Sequence, residues 1–253
     1  MYLKMKNLRL MAVSLLLGAA AALPAHADIL DFDSLTPGPV GFADVLEHKA
    51  YLIRGDSAFD DALPGDLVGG ILNGSKPAEC MRLTCPTNNS TNYYAGLDDG
   101  VMVLSRADHK AFSLQSLDVS MIGSNFGFAM PPVAGILRIQ AFHADYTYEW
   151  FDIELHAHSK DVFFEPVSTG AFGSQQFVSM AFFGFNCDFD GNCLAFEDNR
   201  GQFALDNLNV NISAVPEPAG SAMMGAGLLV LGAVARRRKN QRFATADELA
   251  NRA

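Results

Sequence analysis

Residues 186–197 have the residue types and spacing of a calcium-binding loop. Oxygen-bearing side chains stand at positions 1, 3, 5 and 12 of this stretch, and Gly191 stands at the turn. The candidate ligands are Asn186, Asp188, Asp190 and Glu197. Calcium takes roughly six to eight oxygen ligands around such a loop. Cys193 occupies a position that is usually aliphatic, so a disulfide-closed hairpin with exposed acids is the alternative interpretation.

The four cysteines form two closely spaced pairs. Four residues separate Cys80 from Cys85, and five separate Cys187 from Cys193. In an oxidising compartment we expect each pair to close its own short ring. The alternative, a zinc site, would require close cysteine knuckles with clustered histidines, and the sequence has none.

A second group of polar residues follows strand periodicity. Asp152, Glu154, His156 and His158 alternate with apolar residues and would lie on one face of a strand. With His143 as a further ligand they could hold zinc. The plainer interpretation, which we favour, is the solvated face of an amphipathic strand. No serine-hydrolase, P-loop or zinc-protease motif occurs, so the sequence predicts a protein that is not an enzyme.

Eight segments have the composition and period of β-strands, and Gly, Pro, Asn and Asp clusters separate them. They are 28–35, 45–53, 101–105, 112–121, 135–142, 146–157, 177–185 and 203–212. We expect long loops with short strands between residues 56 and 100. Nineteen phenylalanines supply an aromatic core. The sequence therefore predicts an all-β, antiparallel, two-sheet sandwich of jelly-roll type over residues 28–213.

The first 27 residues have the organisation of a secretory signal peptide. Lys4, Lys6 and Arg9 precede the apolar stretch 10–23, and Ala-His-Ala at 25–27 is a cleavage site. Residues 28–218 contain nine Lys/Arg and twenty-six Asp/Glu, a formal net charge of −17. An exported part this acidic repels nucleic acid, so we expect no nucleic-acid partner.

The chain after the sandwich has three parts, at 214–239. A Pro-Glu-Pro motif is followed by seventeen uncharged residues, 219–235, and then by a basic cluster. This length is at the short end for a transmembrane helix, and the cations would stay cytoplasmic. Residues 240–253 would then form a cytoplasmic tail. The motif and cluster residues are Val215, Pro216, Glu217, Pro218, Arg236, Arg237, Arg238 and Lys239.

This three-part segment resembles the PEP-CTERM sorting signal of exopolysaccharide-producing Gram-negative bacteria. The resemblance implies an exosortase as partner, transient anchoring in the inner membrane, and processing that leaves the protein at the cell surface or outside the cell. One difference is the tail, because family members usually end soon after the basic cluster.

The segment 202–208, Gln-Phe-Ala-Leu-Asp-Asn-Leu, resembles the terminal strand of a group of PEP-CTERM proteins that are similar to carbohydrate-binding jelly rolls. The resemblance implies pairing of the first and last strands and a structural calcium ion held by Asp31, Asp33 and Asp206. The alternative is that these acids make turn hydrogen bonds. The expected function is binding of carbohydrate or exopolysaccharide, and the alternative is a secreted hydrolase acting on polysaccharide.

Overall fold

The computed structural model describes residues 26–76, 80, 82–123, 128–197 and 199–212. The predicted sorting signal, its transmembrane helix and the tail lie outside these residues, as does nearly all of the predicted signal peptide. Within the described ranges, no helix has the length and apolar character needed to span a membrane.

Fourteen strands and one short 3-10 turn, Phe172–Ser174, form from the described residues. The strands are β1 His26–Leu30, β2 Gly38–Gly41, β3 Val45–His48, β4 Tyr51–Ser57, β5 Leu67–Asn73, β6 Asn92–Gly96, β7 Gly100–Arg106, β8 Ser113–Met121, β9 Val133–Phe142, β10 Tyr148–His156, β11 Glu165–Ser168, β12 Ser179–Cys187, β13 Cys193–Leu194 and β14 Phe203–Ile212.

The strands make two antiparallel sheets, as the sequence predicts. The first sheet has the order β11-β8-β14-β6-β5-β2, with β1 also paired to β14. The second sheet has the order β10-β9-β12-β7-β4-β3, with β13 also paired to β12. The first and last strands therefore pair, Asp28 opposite Val210, as the resemblance to carbohydrate-binding jelly rolls implies.

The core lies between the two sheets and follows the two-residue period of the strands. On β9, Leu137 and Ile139 are fully buried in the core, whereas Arg138 and Gln140, which alternate with them, are half-buried. Burial of each large apolar side chain contributes about 1.5–3 kcal/mol. The fully buried phenylalanines are Phe32, Phe112, Phe177, Phe182 and Phe203.

Two details of the strand prediction are wrong. The segment 45–53 is a hairpin of β3 and β4 rather than one strand, because Lys49 adopts a φ of 56° and turns the chain. Strands β2 and β11 were not predicted, since each contains a proline. Both are edge strands, where a missing backbone donor is tolerated.

Strand β1 begins at His26, two residues inside the predicted signal peptide. Cleavage after Ala27 would remove the pairs of His26 with Ile212 and of Ala27 with Asn211. The pairs from Asp28 to Leu30 would persist, so the predicted cleavage site is compatible with a paired first strand.

Candidate functional site

The outer face of the second sheet carries a group of aromatic side chains that we call the aromatic face. On β10, Trp150 is 58% exposed and Tyr148 is 53% exposed. Trp150 lies opposite Gln140 and Tyr148 lies opposite Phe142, so β9 and β10 present these residues on the same side of the sheet. Contiguous exposed apolar surface of this kind is typical of a binding surface.

The exposed rings lie next to one another. The Tyr148 and Trp150 ring centroids are 6.0 Å apart with an interplanar angle of 34°, and the Phe142 and Tyr148 centroids are 6.1 Å apart. Aromatic side chains have few rotatable bonds, so ordering them on a ligand costs little conformational entropy. The three rings form a continuous apolar strip at the open edge of the sheet.

Arg138 holds this strip in place. Its Nε and one Nη donate to the two carboxylate oxygens of Asp152, each at 2.7 Å. The guanidinium carbon lies 5.6 Å from the Trp150 ring centroid and 5.0 Å from that of Phe185, within the range of cation–π contact. The hydrogen bonds with Asp152 raise the pKa of Arg138, so the guanidinium stays charged.

A groove of about 600 Å³ continues from the strip across the middle of the sheet. Val101, Val103 and Ala181 supply apolar lining, and Phe142 is shared with the strip. Arg54 forms an ion pair with Asp56 in the groove lining. Tyr146, which is 90% exposed at the turn between β9 and β10, also lines the groove. The groove therefore combines apolar surface with a few paired charges.

His143 lines the same groove, and its contacts there are not those of a metal-binding site. Its Nδ1 is 3.1 Å from the Gln176 carbonyl oxygen, and its ring packs on Phe177 with centroids 4.7 Å apart. Its Nε2 is 3.8 Å from a carboxylate oxygen of Glu149. These contacts fix the ring orientation and give it a structural role at the edge of the groove.

The proposed zinc group is dispersed. Asp152 binds Arg138, and His156 binds Glu165 with a nitrogen–oxygen distance of 3.0 Å. His158 lies beyond the end of β10 in a separate bridge with Asp161. Across the described ranges, no three His, Cys, Asp or Glu side chains come together in a way that could hold a metal ion. The solvated-face interpretation of Asp152, Glu154 and His156 agrees with their exposure.

The predicted calcium loop is a disulfide-closed hairpin. Strands β12 and β13 pair Asn186 with Leu194 and Cys187 with Cys193. The Asp188 carboxylate accepts hydrogen bonds from the Asp190 and Asn192 backbone N–H groups and from the Asn192 side chain. The Asn192 contacts, side chain first, lower the pKa of Asp188. The loop therefore uses one of its acids to stabilise its own turn, and calcium binding by Asn186, Asp188, Asp190 and Glu197 stays a prediction.

The other predicted calcium ligands lie near the paired first and last strands, each with protein partners. Asp31 lies beside His48 and Lys49, and Asp33 accepts from the Asn92 backbone N–H at 2.9 Å. Asp206, only 2% exposed, accepts from the Asn89 side chain at 2.7 Å. Burial, together with Asp33 and Asp118, raises the pKa of Asp206 to about 6. Asp33 and Asp206 are thus electrostatically coupled, whereas Asp31 belongs to a different set of contacts.

The predicted disulfides are both present. Cys80 bonds to Cys85 and Cys187 bonds to Cys193, with Cα–Cα distances of 6.1 Å and 4.0 Å. The local pairings are confirmed, and the described part of the chain has no free cysteine.

The aromatic face was not predicted from the sequence, although one signal for it is present. By the two-residue period of a strand, Trp150 and Tyr148 fall on the same face of β10 as the acids of the predicted solvated face. The single tryptophan of the chain, on an otherwise polar strand face, is the feature that could have pointed to this surface. Groove residues such as Val103 and Ala181 gave no comparable signal, because they come together only through strand pairing.

An all-β sandwich with one open aromatic sheet face is the class of protein that fold and site define. No family model matches the sequence, and no curated protein matches it. The fold is similar to a DUF4465 family protein from Bacteroides ovatus, at 11% identity over 75% of this chain and 100% of that chain, with a TM-score of 0.41.

Two solved carbohydrate-binding structures are also similar. One is TmCBM61 in complex with beta-1,4-galactotriose, at 5% identity over 65% of this chain and 89% of that chain, with a TM-score of 0.30. The other is a Family 16 Carbohydrate Binding Module-2, at 12% identity over 56% of this chain and 84% of that chain, with a TM-score of 0.26. Likenesses this distant carry no argument about the ligand or the site of this chain.

Proposed function

We propose that this protein is an exported, non-enzymatic jelly-roll protein that binds a polysaccharide through its aromatic face. The observation that carries the proposal is the exposed pair Tyr148 and Trp150, held beside Arg138. A pyranose ring has a C–H face and a rim of hydroxyl groups. The C–H face packs on an aromatic ring, and the hydroxyl groups form hydrogen bonds with the paired charges at the same site.

The dimensions of the face suit an extended chain. The strip on β10 and the groove up to Arg54 on β4 span five adjacent strands of one sheet. Neighbouring strands are about 4.8 Å apart, so four spacings give about 19 Å. This is the length of several sugar residues, which favours a polysaccharide over a single sugar.

The location proposed for this function is the cell surface or the extracellular matrix. The PEP-CTERM resemblance of Val215, Pro216, Glu217 and Pro218 with the basic cluster at 236–239 supports sorting by an exosortase after transient anchoring in the inner membrane. The two disulfides support export to an oxidising compartment. Mass spectrometry of the surface form tests the sorting, since a mature protein that keeps 236–253 would argue against processing.

Binding is tested by affinity electrophoresis and calorimetry with the polysaccharides of the producing cell. Trp150→Ala is expected to weaken binding at least about tenfold, because a central aromatic contact is worth about 2 kcal/mol or more. Phe189→Ala is the matched control, since Phe189 is 71% exposed on the β12–β13 hairpin and lies outside the aromatic face.

If the two variants lose binding affinity equally, the aromatic face is not the binding site. Release of reducing sugar from the bound polysaccharide would instead identify the protein as a hydrolase, the alternative that the sequence left open.

A further inference from the structure

Both arginines on the aromatic face already have carboxylate partners. Arg138 is held by both oxygens of Asp152, and Arg54 pairs with Asp56 at the other end of the groove. His143 faces Glu149. Among the described residues of the strip and groove, no Lys or Arg is left with its charge uncompensated.

The exported part of the chain is strongly acidic. Residues 28–218 have a formal net charge of −17, so the protein as a whole repels an anionic polymer. An anionic chain approaching the face meets this repulsion, and among the described residues of the strip and groove no unpaired cation offsets it. A neutral chain pays no such penalty.

We infer that the aromatic face is selective for a neutral polysaccharide and rejects chains that carry uronate, sulfate or phosphate groups. The inference rests on the proposed polysaccharide-binding function and assigns the ligand class of that same site. The apolar strip binds the C–H faces of uncharged sugar rings, and the arginine–aspartate pairs bind hydroxyl groups.

The geometry of the Arg138–Asp152 pair explains this second role. A guanidinium has five N–H donors, and Asp152 accepts from only the Nε and one Nη atom. The remaining N–H groups and the free lone pairs of the carboxylate can donate to and accept from neutral hydroxyls. Because the pair is neutral overall, binding through it depends little on salt concentration.

The selectivity is tested by affinity electrophoresis of the protein on two panels of polymer. The neutral panel is galactan, xylan, mannan and β-glucan, and the anionic panel is polygalacturonate and alginate. We expect retardation by at least one neutral polymer, unchanged by high salt and lost in Trp150→Ala. Retardation by an anionic polymer that is lost in Trp150→Ala would overturn the inference while leaving the proposed function intact. Retardation by neither panel would overturn both.

A charge-unpairing variant provides an independent test. Asp152→Asn leaves the Arg138 charge without its partner, and about fivefold tighter binding of polygalacturonate at low salt is expected, the scale of one surface charge pair. Glu154→Gln is the matched control, because it makes the same change of charge on the same strand, beside His156 rather than Arg138. Equal gains in both variants would show a general charge effect and contradict the inference.

Asp56→Asn repeats the test at the other end of the groove by leaving Arg54 without its partner. Thermal melting of each variant verifies the fold. If neither unpaired arginine increases binding of the anionic polymer, charge pairing is not what excludes anionic chains, and the inference fails.

Discussion

The two outer faces of the sandwich have the same strand periodicity, but one is covered by a loop and the other is exposed. On the first sheet, Tyr93 and Ala95 of β6 point away from the core and are nevertheless buried, 2% and 0% exposed. Leu83 and Cys85 of the loop between β5 and β6 pack over them, and so does Phe164, whose ring lies 5.3 Å from that of Tyr93. On the second sheet, nothing in the described residues covers Trp150 to this extent.

The comparison shows that an outward-facing aromatic residue stabilises the fold only where another segment of the chain covers it. Tyr93 belongs to a second small apolar cluster and stabilises the fold. Trp150, at 58% exposed, contributes less apolar burial, and its exposure is the observation on which the proposed ligand contact rests. The predictions below test this contrast from the largest expected effect to the smallest.

Truncation of the covered aromatic residue should have the largest effect on stability. Tyr93→Ala is expected to reduce the free energy of unfolding by about 3–5 kcal/mol, because it opens a cavity under the covering loop. Trp150→Ala should change it by no more than about 1 kcal/mol. Urea unfolding of both variants measures the difference, and comparable losses would break the contrast between the two faces.

Removal of the disulfide in the covering loop should reduce stability more than removal of the disulfide in the exposed hairpin. Each closes a short ring, so loss of chain-entropy stabilisation alone costs about 2 kcal/mol in either case. Replacement of Cys80 and Cys85 by Ser should cost more than that, since Cys85 packs on the covered cluster. Cys187 is also buried, at 4% exposed, but it belongs to neither apolar cluster, so replacement of Cys187 and Cys193 removes chiefly a hairpin constraint. Thermal melting of the two double variants gives the order, and the reverse order would contradict the covering role of the first loop.

Buried Asp206 predicts a pH dependence of stability. Its pKa is raised to about 6, chiefly by burial and then by Asp33 and Asp118. Between about pH 4 and 6 the folded protein keeps a proton that the unfolded chain has released, so stability from this group falls as pH rises through this window. The contribution is at most about 3 kcal/mol.

Asp206→Asn should remove this part of the pH dependence, as measured by urea unfolding at pH 4, 5, 6 and 7. Asp190→Asn, which makes the same substitution in the exposed hairpin, is the matched control. An unaltered slope in Asp206→Asn would show that folding does not raise the pKa of Asp206.

Calcium should give the smallest change in stability. Its effect would distinguish two acidic regions, the hairpin at 186–197 and the site near Asp206. Extracellular modules bind calcium at roughly 10⁻⁴–10⁻³ M, so millimolar calcium is expected to raise the melting temperature relative to chelator. Loss of that rise in Asp190→Ala would place the ion in the hairpin, and loss in Asp206→Ala would place it near the first and last strands. Coincident melting curves of the wild type would remove both calcium predictions.

The sequence by itself determined the elements that depend on local chemistry. Alternation of apolar residues predicted β14 with the bounds Phe203–Ile212, and the close cysteine spacing predicted both disulfides. Both results depend on residues that are near one another in the chain. The hairpin at Lys49 was not predicted, because a left-handed lysine has no composition signal.

Only the tertiary structure decided which outward face is covered and which is open. Period-two alternation places Tyr93 and Trp150 outside their sheets in the same way. The loop over Tyr93 gains its position from contacts far along the chain, such as the hydrogen bonds between Asn88 and Phe164. The groove likewise needs β7 and β12 to pair, although these strands are distant in sequence. Long-range pairing of this kind depends on the whole set of strands, so no single stretch of sequence encodes it.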